Sequence, residues 1–84
     1  MDITRATEIT PEVEKIIDDM FEYHPWAWDE AQIAKGKEVR DSLKAAFKVV
    51  IANVPPSPDR SAALRKLRDA RMDCNSSITH NGKY

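Results

Sequence analysis

Apolar residues recur at intervals of three and four in three stretches of the chain, and no stretch alternates long enough to read as a strand. Val13, Ile16, Ile17, Met20 and Phe21 form the first stripe. Ahead of it stand Thr10, an N-capping hydroxyl, then Pro11, suited to the first helical position, and the acids Glu12 and Glu14. The pattern predicts a helix that starts at Pro11 and ends near Tyr23, before Pro25. A second, longer helix is predicted from about Asp29 to about Asn53, with Val39, Leu43, Ala46, Phe47, Val50 and Val54 on one face and Lys37, Lys44 and Lys48 elsewhere. Gly36 is its weak point, costing about 1 kcal/mol relative to alanine.

Val54-Pro55-Pro56-Ser57-Pro58 cannot continue that helix, because three prolines remove donors and clash with the preceding turn. The chain must reverse there. Ser57 caps and Pro58 opens a third helix, whose stripe of Leu64, Leu67, Arg71, Cys74 and Ile78 runs to about Thr79, before the stop signal Asn81-Gly82. The predicted fold is therefore all-α: a short N-terminal helix followed by an antiparallel hairpin of two long helices. The first helix must pack across the hairpin or onto a neighbour. His24 to Trp28 has no period and reads as a corner whose aromatics need a surface to cover.

At 84 residues the chain is expected to be a single domain over residues 1–84. A domain this short buries only roughly 60–65% of its unfolded surface, so self-association is expected to supply further burial. No apolar run is long enough to span a bilayer, and the first ten residues do not read as a secretory signal. The lone Cys74 cannot form an internal disulfide, which fits a reducing cytosol. On the stripe with Leu64, Leu67 and Ile78, it reads as a core thiol rather than a nucleophile.

Charge is uneven: residues 1 to 30 carry nine acids and two bases, residues 31 to 84 five acids and eleven bases. The second part could attract an anion, although interleaved bases of this kind are ordinarily solvated helix faces. A near-neutral total and an acidic first helix argue against duplex DNA as a partner. Neither a glycine-rich phosphate loop nor a CxxC pair is present, and His24 and His80 lack metal-site spacing. No catalytic residue, metal or cofactor is expected.

Several segments share their order and spacing with a known family. Phe21-Glu22-Tyr23-His24-Pro25, Gln32 before a long helix, Val39-Arg40, Pro55 to Leu64 with Ser57, Arg60, Ser61 and Ala63, and Met72 to Asn81 with Asn75 and Ile78 resemble the phage anti-CBASS cyclic-nucleotide sponges. The resemblance covers about three-quarters of the chain and leaves out the first twenty residues. It implies a non-enzymatic protein of the infected bacterial cytoplasm. Such proteins assemble as hexamers, trimers of dimers, and hold cyclic dinucleotides such as cyclic GMP-AMP between subunits. An antiviral effector is thereby starved of its signal.

Carried over residue by residue, the resemblance implies that Tyr23 contacts a nucleobase and that Arg40 and Ser42 face phosphate. A flat ring suits base stacking, and the arginine fork with a serine hydroxyl suits phosphate. On residue chemistry alone, Tyr23 could equally be a rim residue on Phe47 or Trp26, and Arg40 an exposed ion-pairing side chain. Some family members bind cyclic trinucleotides at a second site lined by an arginine. His80 stands at that position and offers fewer donors, which predicts a weakened or lost second site. The chain also departs from the family in a longer stretch between His24 and Gln32, in Gly36 where an aromatic is common, and in Asp73 after Met72. A different class of function is a helical adaptor that grips a host protein through Trp26 and Trp28.

Overall fold

The computed structural model describes residues 3–21 and 28–83. A short 3-10 turn, Ile3–Arg5, precedes three helices: α1 (Pro11–Met20), α2 (Glu30–Asn53) and α3 (Pro58–Thr79). Among the described residues there is no strand. The three starts are those the local chemistry dictates. The Thr10 hydroxyl accepts from the Val13 amide at 3.2 Å, and the Ser57 hydroxyl from the Arg60 amide at 3.0 Å. Asp29 and Gln32 form a reciprocal capping box, with amide-to-side-chain distances of 2.8 and 2.9 Å.

The ends follow backbone rules. Val54 caps α2 in an extended conformation, as a residue before proline should. Beyond α3, Asn81 and Gly82 turn left-handed at φ 53° and 77°, and the Gly82 amide donates to the Ser77 carbonyl at 2.9 Å. α1 closes at Met20 with Phe21 as its cap, which is earlier than the predicted end near Tyr23. The predicted aromatic corner, apart from Trp28, lies outside the described residues.

α2 and α3 pack side by side as an antiparallel hairpin, and α1 lies across its turn end. The buried core there is Val13, Ile17 and Phe21 from α1 and its cap, Phe47 and Ile51 from α2, and Leu64 from α3. The Phe21 and Phe47 rings meet edge to face, with centroids 5.7 Å apart. Two ion pairs fasten α1 to the side of α2: Lys44 to Asp18, and Lys48 to Glu14 at 2.7 Å. The acids of α1 are thus exposed, as their pattern implies, yet two of them reach across to α2. Ile51 is fully buried and belongs to the α2 core face, whereas Val54, expected on that face, is 40% exposed at the cap.

A buried arginine completes the turn end. Arg60 is 1% exposed, and its two terminal nitrogens donate to main-chain carbonyls. Nη1 donates to Ile51 and Val54 at 3.3 and 3.1 Å, and Nη2 to Ile3 and Thr4 at 3.4 and 2.9 Å. The first pair are among the last carbonyls of α2, where the helix dipole is negative. The second pair belong to the 3-10 turn. One side chain therefore ties the N-terminal turn to the reversal of the hairpin.

The other end is closed differently. The Trp28 ring covers Gly36, so closely that a Cβ there would come within 2.2 Å of a ring carbon. Its indole N–H donates to the Thr79 hydroxyl at 2.7 Å, and the Gln32 side-chain amide donates to the Ile78 carbonyl at 3.0 Å. Gly36 is buried and admits the tryptophan, so its helix-propensity cost accompanies a packing role that the sequence pattern did not suggest. No helix among the described residues is long and apolar enough to cross a membrane.

Candidate functional site

Between the two closed ends the hairpin carries arginines on both of its facing stripes. Arg40 lies one turn after Gly36 and one turn before Leu43, on the stripe that turns inward to Phe47 and Ile51. It is half-buried, its side chain about a quarter exposed at 23%. On α3, Arg60, Leu64, Leu67, Arg71, Cys74 and Ile78 follow one another at alternating intervals of four and three. Gln32 is tied to Ile78 at one end and Arg60 to Ile51 at the other. This antiparallel register brings Arg71, also half-buried, level with Arg40.

Asp41 stands beside the Arg40 guanidinium, its carboxylate 3.6 Å from Nε. The same carboxylate accepts from the Lys37 ammonium at 2.7 Å, and this bond holds its pKa below the ordinary 3.8. The carboxyl therefore stays ionised at neutral pH.

Ser42 is exposed and does not share the Arg40 face. Two residues along an α-helix project roughly 160° apart, so the two side chains point to opposite sides of α2. His80 is the exposed C-cap of α3, its amide donating to the Ser76 carbonyl at 3.0 Å. Gln32, tied to Ile78 near that end, is eight residues from Arg40, about 12 Å of helix. His80 and Arg40 are therefore separate features. Tyr23 lies outside the described residues.

Trp28, half of the proposed adaptor anchor, is turned onto its own chain over Gly36 and Thr79, and Trp26 lies outside the described residues. Cys74 is half-buried on the stripe expected for it. No group of three potential metal ligands occurs among the described residues.

Two arginines carry little signal in the sequence, for different reasons. Arg71 lies on the apolar stripe, and the register that sets it opposite Arg40 needs both helices. Arg60 stands out in the sequence only as part of a motif. The available signal was its spacing, four residues before Leu64, which extends the inward stripe to the proline turn. In comparisons with known proteins, no family model, no curated protein and no solved structure matches the chain.

Proposed function

We propose that this protein is a cyclic-dinucleotide sponge that holds its ligand between subunits, without cleaving it, and so blocks CBASS signalling in a phage-infected bacterium. The supporting observation is the ordered set of sequence elements, from Phe21 through Arg40 to Pro55–Leu64 and Met72–Asn81, which resembles the sponges in a chain that folds as a helical hairpin. Arg40 in mid-hairpin, level with Arg71, gives this reading a cationic position suited to phosphate. Tyr23 stacks on a base and Ser42 adds a hydroxyl donor.

Because Arg40 and Ser42 leave α2 on opposite sides, one phosphate that meets both does so between two copies of the chain. An isologous dimer presents each residue twice, which suits a ligand with two phosphates related by a near two-fold axis. A trimer of such dimers is the hexamer. His80 offers one ring in place of a five-donor guanidinium, so a cyclic trinucleotide is held weakly or not at all.

Sequestration against a competing effector needs nanomolar affinity, about −12 kcal/mol. Calorimetric titration with cyclic GMP-AMP, followed by denaturation and chromatography of the released nucleotide, tests the proposal. Tight binding at one ligand per two chains, intact release and loss of binding in Arg40→Ala are expected. Absence of heat with every cyclic dinucleotide, or recovery of hydrolysed ligand alone, overturns it.

A further inference from the structure

A cleft of about 250 Å³ opens at the turn end, among the N-terminal turn, the end of α1 and the first turns of α3. Its apolar floor is made by Ile3, Met20, Phe47 and Leu64. Along one wall, Ser61, Arg65 and Arg68 follow on successive turns of α3. No carboxylate lines it among the described residues. The wall opposite α3 is fixed, because the carbonyls of Ile3 and Thr4 are held by buried Arg60.

We propose that this cleft binds a small amphipathic phosphate: one flat ring system on the apolar floor, with a single phosphate at Arg65, Arg68 and the Ser61 hydroxyl. Two guanidinium groups and a hydroxyl on one helix face match the oxygens of a phosphate, and an acid-free lining leaves no repulsion against it. Arg68 has its neighbour Asp69 at 3.5 Å, but both are largely exposed, and such a pair yields readily to a stronger anion. The volume lies just below the roughly 300–1,000 Å³ of sites for drug-sized ligands, which suits one ring system with its phosphate at the arginine wall. The site uses none of the ligand contacts of the sponge reading, Tyr23, Arg40 and Ser42, although Ser61 and Leu64 lie in a segment that carries the resemblance.

The test is an amide NMR titration of the intact chain with adenosine monophosphate, adenosine and inorganic phosphate. The monophosphate is expected to shift the amides of residues 61–68 saturably. Adenosine and phosphate alone should each bind at least about tenfold more weakly, the expected loss of one charge-assisted contact or of the apolar contact. Arg65→Gln with Arg68→Gln, both exposed positions whose fold is checked by circular dichroism, should lose at least about tenfold as well, while Lys66→Gln, an exposed cation of α3 outside the cleft, binds as the parent does. No saturable shift, equal shifts with adenosine, or unchanged binding in the double variant overturns the proposal. Shifts at the cleft that depend on protein concentration without ligand also overturn it, by giving the cleft to a second copy of the chain.

Discussion

The two ends of the hairpin are closed by different physics. At the turn end, six apolar side chains and one arginine are buried, and α1 lies over them. At the open end, no side chain of α3 is fully buried: Leu67, Arg71, Cys74 and Ile78 are all half-covered. Closure there depends on a tryptophan over a glycine and two polar clips. The open end, with partly covered stripes and arginines at mid-height, is the part of this chain that further burial would complete, and a second subunit is one way to supply it.

Removing the buried cation should separate the ends most sharply. In Arg60→Met the carbonyls of Ile51, Val54, Ile3 and Thr4 lose their donor inside the protein, and stability should fall by about 1–3 kcal/mol. Chemical denaturation measures this. Arg60→Lys should not restore it, since one ammonium cannot reproduce a planar fork that reaches both the helix end and the 3-10 turn. A loss under about 1 kcal/mol in Arg60→Met would mean that the apolar core closes the turn end without the clamp.

A smaller effect, confined to the open end, is expected from Gly36→Ala. Helix propensity favours alanine by about 1 kcal/mol, but its Cβ would meet the Trp28 ring at 2.2 Å, and overpacking of this kind costs about 1–3 kcal/mol. The ring must move, which should shift tryptophan fluorescence and weaken the bond to Thr79. Combining it with Trp28→Ala removes the collision, so the alanine at 36 should then stabilise relative to Trp28→Ala alone. The same stabilisation in the parent background would show that Trp28 does not sit on Gly36.

The sequence was legible wherever a structural decision is local. The three helix starts rest on Thr10, Asp29 and Ser57 with residues one to three positions away, and the end of α3 rests on Asn81 and Gly82. The hairpin followed from three prolines. Three features required contacts distant in sequence: the Trp28 indole on the Thr79 hydroxyl, Arg60 against the carbonyl of Thr4, and the pairing of Lys44 with Asp18. Each joins a side chain to a partner that only the packed fold supplies. Of the candidate site, Arg40 and Ser42 were legible as residue types, and their opposite directions follow from helical geometry once both are on α2.

The smallest expected effect is a pH dependence that again distinguishes the ends. The hydrogen bond from Lys44 lowers the Asp18 pKa below its ordinary 3.8, with the Lys44 and Lys48 charges adding to this and desolvation opposing it. A carboxyl that binds protons more weakly when folded contributes stability that is complete above the unfolded value. That contribution is lost as pH falls through the lower folded value. Stability measured by denaturation should therefore decline below about pH 4, and Asp18→Asn should shrink the decline. Asp41 is lowered too, chiefly by its bond from Lys37, but both partners lie on α2 four residues apart. A helix-local pair of this kind persists in part in the unfolded ensemble, so Asp41→Asn should change the acid slope less than Asp18→Asn. Equal slopes in the two variants would show that α1 is held at the turn end by its apolar stripe, with the Asp18 pair contributing no more than a surface contact within one helix.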